Sequence, residues 1–290
     1  MEIIIGKTAG FCYGVKNAVQ NSEQELKQNE KLCCLGEIVH NSKVVKQLEN
    51  MGMQFINDLN ENLQKNTTII RAHGVSKKVY EQAKNENIKL IDLTCPNVLK
   101  IHKIVSEYHK KNYYTFLVGN KNHPETIGTY SFGEQDISII ENEKDIEDAV
   151  NKLKISSQKK LLIIVQTTFS LEKFLNFTQI IESKIKLNIQ DIEDIKAMNT
   201  ICNATKARQE ETDKISKMVD YMIIVGGKNS SNTQKLYEIS KRNCNNTICI
   251  EDYKEIDISE INKNNIIGIM AGASTPQSSI DKVVNLLKNT

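Results

Sequence analysis

The chain has 290 residues, 39% of them apolar, and 38 basic against 36 acidic side chains leave a formal charge of +2. That length holds two or three small domains with cores of their own. The net charge argues neither for nor against nucleic acid, but without a basic block carrying aromatics a nucleic-acid footprint is not supported, and seven cysteines, an odd number, do not suggest a disulfide framework.

The N-terminus runs straight into Ile3-Ile4-Ile5, read as a strand, without the basic segment and small-residue cleavage site of a secretory leader. The longest apolar runs, such as Leu161-Leu162-Ile163-Ile164-Val165, are far too short to span a bilayer. The expectation is a soluble, cytoplasmic protein.

Next comes Gly10-Phe11-Cys12-Tyr13-Gly14, then an apolar run over residues 32–35 that ends at Gly36, with His40 four positions on. An amphipathic pattern follows over 41–48, and a second apolar segment leads into Arg71-Ala72-His73-Gly74. The same series then recurs twice. Gly36, Gly119 and Gly226 each stand 24 positions beyond Cys12, Cys95 and Cys202, and each closes a short apolar run; His40, His123 and Ser230 follow four positions after the glycines. Thr167 and Ser274 both lie 72 positions beyond Cys95 and Cys202, with His73 at the shorter distance of 61 in the first series. Short apolar runs rich in aromatic and β-branched residues read as buried strands, and the amphipathic stretches between them read as helices. Alternating strands and helices predict an α/β protein with parallel sheets, in three repeats at 1–94, 95–198 and 199–290.

Residues just past the carboxyl ends of parallel strands are where ligands bind in such folds. His40, His73, His123, Glu125, Thr167, Thr168, Ser230, Ser231, Asn232 and Ser274 are therefore expected to face one crevice, with the three cysteines lining it. Repeats packed about one axis would bring three thiols together. Three converging thiolates without a fourth suit an iron–sulfur cluster with one open iron. Cys12, Cys95 and Cys202 lie outside apolar runs and each precedes a helical pattern, a position that favours the thiolate. Cys33 and Cys34 sit inside a strand, and Cys244 and Cys249 near a helix–strand joint, so these four read as small buried hydrophobes. Zinc is the rival metal, since Cys3His is a zinc set, but Cys12, Cys95 and Cys202 form no C-x₂₋₄-C pair.

In His123-Pro124-Glu125 the carboxyl, if buried near an anion, keeps its proton and serves as an acid. The hydroxyls of Gln166-Thr167-Thr168, Ser230-Ser231-Asn232 and Ser274-Thr275 read both as helix caps and, at free helix N-termini, as phosphate ligands. Several such ends with His40, His73 and His123 would make a pocket for a diphosphate, and with neither a Walker motif nor G-x-G-x-x-G a nucleotide is not indicated. His102 and His109 fall on the helical pattern after Cys95 and read as ordinary helix residues.

These motifs, with Gly36-Glu37-Ile38-Val39-His40-Asn41, Asp92-Leu93-Thr94-Cys95-Pro96, the stretch from Thr200-Ile201-Cys202 to Arg208-Gln209, and Gly272-Ala273-Ser274-Thr275-Pro276, resemble the 4-hydroxy-3-methylbut-2-enyl diphosphate reductase (IspH/LytB) family over nearly the whole length. The resemblance implies three αβα domains in a pseudo-three-fold trefoil around a [4Fe-4S] cluster held by Cys12, Cys95 and Cys202. It implies that His40, His73, His123, Ser230, Ser231, Asn232 and Ser274 hold the diphosphate. Thr167 would bond near the substrate hydroxyl, which binds the fourth iron, and Glu125 would relay protons. The implied reaction is reductive removal of that hydroxyl as water, giving isopentenyl or dimethylallyl diphosphate in the non-mevalonate route to isoprenoids. An external donor such as ferredoxin or flavodoxin is implied too. Asn122 stands where the family usually has Gly, which puts the loop before Glu125 in question, and Asn203 is a second small departure. Two readings stand beside this one: a dehydratase resembling quinolinate synthase, also a three-fold αβα protein with a three-cysteine cluster, and a non-catalytic iron–sulfur sensor.

Overall fold

The computed structural model describes residues 1–28, 31–62 and 66–289. In these, twelve strands and ten helices follow one another as β1 (Glu2–Ile5), α1 (Tyr13–Gln28), β2 (Leu32–Leu35), α2 (Ser42–Asn50), β3 (Met53–Ile56), β4 (Thr67–Ile70), α3 (Lys77–Glu86), β5 (Leu90–Asp92), α4 (Pro96–His109), β6 (Tyr113–Val118), α5 (Pro124–Tyr130), β7 (Ile137–Ile140), α6 (Glu143–Ile155), β8 (Lys160–Val165), α7 (Leu171–Asn188), β9 (Asp194–Ala197), α8 (Asn203–Ser216), β10 (Tyr221–Val225), α9 (Ser231–Asn243), β11 (Thr247–Ile250), β12 (Ile266–Ala271) and α10 (Gln277–Lys288).

The strands form three four-stranded parallel sheets of like order: β3-β2-β4-β5, β7-β6-β8-β9 and β11-β10-β12-β1. The second strand in each order is buried throughout, as in Leu32–Leu35, Tyr113–Val118 and Tyr221–Val225. Continuous apolar runs of this kind are what a parallel sheet covered by helices on both faces requires. In the second sheet, Ile101 and Val105 of α4 pack against Leu117, Leu162 and Ile164. Its other face meets Ile146 and Val150 of α6 and Phe174 and Ile181 of α7. The third sheet has Ile215 of α8 and Leu236 of α9 on one face, and Ile280 and Val283 of α10 on the other.

The fourth strand of each order, β5, β9 or β1, immediately precedes a cysteine-headed helix. The expected boundaries after 94 and 198 fall just past β5 and β9. The expected first repeat, 1–94, is not one contiguous body, however. Glu2–Ile5 pairs in register with Glu2 opposite Ile266 and Ile5 opposite Ile269, so it completes the third sheet. The reason lies in pairing: among the described residues no strand follows β12, and β1 occupies the edge that β5 and β9 fill in the other two sheets. Chain contacts separate two compact units. One comprises Met1–Lys27, Val39–Gly52 and Asn203–Thr290; the other comprises Gln28–Ile38 and Met53–Cys202.

Candidate active site

In the larger unit, the loops after β4, β6 and β8 carry His73, His123 with Glu125, and Thr167. His123 caps α5, its Nδ1 accepting from the backbone N–H of Glu125 at 3.2 Å. A neutral ring that accepts at Nδ1 carries its proton on Nε2. Pro124 at the first helical position spends no backbone donor there. Gly128 lets α5 lie against the loop after β4, because a Cβ would come 3.2 Å from the Val75 carbonyl oxygen. Through that close approach the His73 ring meets His123 edge-on, with centroids 5.4 Å apart.

Glu125 is 3% exposed. Its two carboxylate oxygens accept from Thr167, one from the backbone N–H at 2.7 Å and the other from the hydroxyl at 2.6 Å. Burial raises its pKa to about 6, against the opposing pull of those two bonds. A carboxyl so placed changes protonation close to neutral pH, as a proton donor needs. Gln166 braces the site: its Oε1 accepts from Asn120 N–H at 3.0 Å and from the Thr126 hydroxyl at 3.4 Å, and its Nε2 donates to the Thr168 hydroxyl at 3.0 Å. The motif containing Gln166 is visible in the sequence, but this bracing role is not, since its partners lie 40 and 46 positions away. Asn122 leaves the loop undisturbed. It is exposed, its N–H donates to Asn120 Oδ1 at 2.8 Å, and its φ lies outside the positive range that demands glycine.

All seven cysteines are thiols and none forms a disulfide. Cys95 and Cys202 are half-buried and directly precede α4 and α8. The N–H of Cys95 donates to the carbonyl of Ala72, beside His73, at 3.0 Å, and that of Cys202 donates to the carbonyl of Thr167 at 3.1 Å. So Glu125, Thr167 and Cys202 form one hydrogen-bonded series. Cys33 and Cys34 are buried in β2, and burial drives the Cys34 thiol up to about 12. His102 stacks on Phe132 at 4.3 Å, and burial takes it down to about 4 despite Asp92 nearby. It is a neutral core residue of α4.

In the smaller unit, Cys12 is half-buried before α1 and its N–H donates to the Ala273 carbonyl at 3.1 Å. This is the same bond that Cys95 and Cys202 make, so all three cysteines attach alike to the loop after a β4-, β8- or β12-type strand. Ser274 follows β12, and its hydroxyl donates to the His40 carbonyl at 3.0 Å. The same carbonyl lies against Gly227, where a Cβ would come within 2.7 Å of it. His40 is thus set between the loops after β10 and β12, just ahead of α2, whose cap Asn41 accepts from Lys43 and Val44 N–H.

Ser230 caps α9, its hydroxyl accepting from Thr233 N–H at 3.4 Å, and Ser231 begins the helix. Asn232 in the first turn is 3% exposed, yet among the described residues neither Oδ1 nor Nδ2 has a hydrogen-bond partner. A buried amide left unpaired is costly in a folded protein. The thiol of Cys249, by contrast, lies in β11 with its pKa pushed up to about 11 by burial.

The predicted residues thus fall into two sets. His73, Cys95, His123, Glu125, Thr167 and Cys202 belong to one unit, and Cys12, His40, Ser230, Ser231, Asn232 and Ser274 to the other. Comparison with known proteins covers both. The family model described as LytB protein matches residues 3–288. A 4-hydroxy-3-methylbut-2-enyl diphosphate reductase of Caldanaerobacter subterraneus subsp. tengcongensis is 42% identical, spanning 100% of this chain and 97% of that one. One of Clostridioides difficile is 37% identical over the full length of both. Among solved structures, the E-1-hydroxy-2-methyl-but-2-enyl-4-diphosphate reductase of Plasmodium falciparum superposes with a TM-score of 0.88 at 36% identity, covering 99% of this chain and 88% of that one. A structure of (E)-4-hydroxy-3-methyl-but-2-enyl diphosphate reductase, described as the terminal enzyme of the non-mevalonate pathway, gives 0.72 at 38% identity over the whole of both chains. With a matching model from Ile3 almost to the C-terminus and full-length relatives well above 30% identity, the chain belongs to the LytB protein family.

Proposed function

We propose that this chain is an oxidoreductase that reductively dehydroxylates 4-hydroxy-3-methylbut-2-enyl diphosphate to isopentenyl and dimethylallyl diphosphate, the last step of the non-mevalonate pathway. The observation that carries the reading is Glu125: a buried carboxyl raised to about 6, held at both oxygens by Thr167. The reaction breaks an allylic C–O bond and adds two electrons and two protons, one of which leaves with the oxygen as water. A reaction of that balance needs a proton source away from bulk water.

The residues fit a cluster ligated by Cys12, Cys95 and Cys202. Each is a half-buried thiol immediately before a helix, unlike the buried strand thiols Cys33 and Cys34. A [4Fe-4S] cluster with three such ligands supplies an open Lewis-acid iron and single electrons when bound. The remaining work falls to the protein. With Glu125 ionised, the Thr167 hydroxyl donates to Oε2. When Glu125 takes up a proton there, that bond reverses, and Thr167 turns its own hydroxyl proton outward toward the departing hydroxyl of the substrate. The backbone N–H of Thr167 holds Oε1 throughout, so the carboxyl does not swing during the transfer.

His123, whose Nδ1 bond leaves the proton on Nε2, supplies a donor for a phosphate oxygen in this reading, as do His40 and His73. Ser230, Ser231 and Asn232 at the N-terminus of α9, with Ser274 after β12, complete the diphosphate ligands. Asn232 supports that assignment because its amide has no partner among the described residues. Electrons come from an external one-electron donor of the ferredoxin or flavodoxin kind. No helix among the described residues is long and apolar enough to cross a membrane. Seven thiols without a disulfide suit a reducing cytoplasm.

The test is anaerobic turnover of the diphosphate with a reduced viologen dye, alongside iron and sulfide analysis. Conversion to the two isomeric diphosphates, with about four irons per chain for such a cluster, is the expected result. Stoichiometric zinc without sulfide refutes the reading.

A further inference from the structure

The segment from Gly6 to Cys12 joins β1 to α1 without regular structure, yet its backbone groups are held almost one by one. The N–H of Gly6 donates to the Ile269 carbonyl at 2.9 Å, that of Ala9 to the Gly6 carbonyl at 3.1 Å, and that of Cys12 to the Ala273 carbonyl at 3.1 Å. Two side chains of α8 hold three further backbone groups, those of Lys7, Thr8 and Gly10. The Glu211 carboxylate accepts from the N–H groups of Lys7 and Thr8, each at 2.8 Å, and from the Thr8 hydroxyl at 2.5 Å. Arg208 donates through Nη2 to the Gly10 carbonyl at 2.6 Å and through Nη1 to the Ala204 carbonyl of its own helix at 3.0 Å.

Arg208 is 4% exposed. Burying a guanidinium is unfavourable unless its donors are used with good geometry, and here two of them fix the loop to the helix. On the opposite side, Gly10 has φ +96, and a Cβ there would come 3.4 Å from the Thr275 carbonyl and 3.3 Å from Ile280. Gly10 therefore stays a glycine in a loop enclosed from both sides. The two α8 residues are three positions apart, on adjacent turns of the helix that Cys202 directly precedes.

We propose that Arg208 and Glu211 are positioning residues that preset the Cys12 loop for metal ligation, so that α8 holds Cys12 through this clamp. The proposal rests on the reading that these thiols are cluster ligands. A loop ordered in advance forfeits less conformational freedom when its thiol is ligated. The clamp is not a catalytic group, since none of its atoms is assigned to the reacting centre.

The test compares Glu211→Gln and Arg208→Lys with Glu210→Gln, a control on the same helix whose exposed carboxylate pairs only with Lys206, at 3.8 Å. In the anaerobic holoprotein, iron release to a strong chelator is expected to accelerate about tenfold in both clamp variants, as the loss of one charged hydrogen bond implies, and not in the control. In the full chain stripped of iron, alkylation of Cys12, followed by peptide mass spectrometry, is expected to accelerate about tenfold while that of Cys95 does not change. Equal acceleration at both thiols would mean general loosening and would overturn the proposal; so would unchanged rates at both. Selective acceleration at Cys12 in a protein whose wild type binds no iron would keep the clamp and remove the cluster reading instead. Where Glu211→Gln fails to fold, Arg208→Lys, which retains the buried charge, decides the matter.

Discussion

Glu125→Gln separates the chemistry of this carboxyl from its packing. The substitution preserves volume and one acceptor but removes the titrating proton. General acids contribute about 10²- to 10⁴-fold to a rate, so kcat is expected to fall by that range while KM changes little. Its effect on stability lies in the pH dependence. The rise from 4.5 to about 6 means that the folded state holds the proton more tightly than the unfolded chain does, a difference worth about 2 kcal/mol. Stability is therefore fully present below pH 4.5 and declines as pH climbs through about 6. At neutral pH the wild type bears the whole of that penalty and the glutamine variant none of it. The variant loses part of the Thr167 pairing, worth about 1.5 kcal/mol or more for a charged acceptor, so the two terms nearly cancel. The assay is urea unfolding of both proteins from pH 4.5 to 7.5, paired with anaerobic kinetics over the same range. The wild type should lose stability across pH 4.5 to 6 and the variant should be nearly flat. A variant with wild-type kcat, or equal pH slopes in both proteins, would refute the reasoning.

Three further outcomes follow from the site. Asn232→Ala removes an amide with no partner among the described residues; unfolding free energy should change by less than about 1 kcal/mol, while KM for the diphosphate rises about tenfold, the cost of one hydrogen bond to a charged ligand. Gly227→Ala forces a Cβ to within 2.7 Å of the His40 carbonyl; thermal unfolding should report a loss of about 1–3 kcal/mol, and calorimetric titration with substrate should show weaker binding through displaced His40. Cys34→Ser buries a hydroxyl in β2 at a cost of about 1–3 kcal/mol yet leaves iron content unchanged, whereas Cys95→Ser folds and loses iron; a fall in iron on both substitutions would contradict the ligand assignment.

Much of this protein is legible in one dimension because its repeats impose equal spacings. Three glycines at a constant interval from three cysteines locate the buried strands and the loops beyond them. Continuous apolar runs identify these strands as members of parallel sheets, since both faces must be covered. The residue types on the loops, two hydroxyls after one strand and His-Pro-Glu after another, announce their chemistry before any contact is known. What sequence alone left open depends on partners that are distant along the chain. The pairing of β1 with β12 follows from which edge is vacant when the chain's two ends meet, and no local pattern in Ile3-Ile4-Ile5 states it. The pKa of Glu125 depends on burial and on Thr167, 42 positions away. Arg208 and Glu211 look like ordinary helix charges until folding brings Gly10, Lys7 and Thr8 against them from 198 to 204 positions earlier. Local sequence specifies elements through periodicity and side-chain type, whereas desolvation and long-range hydrogen bonding exist only once the chain has closed on itself.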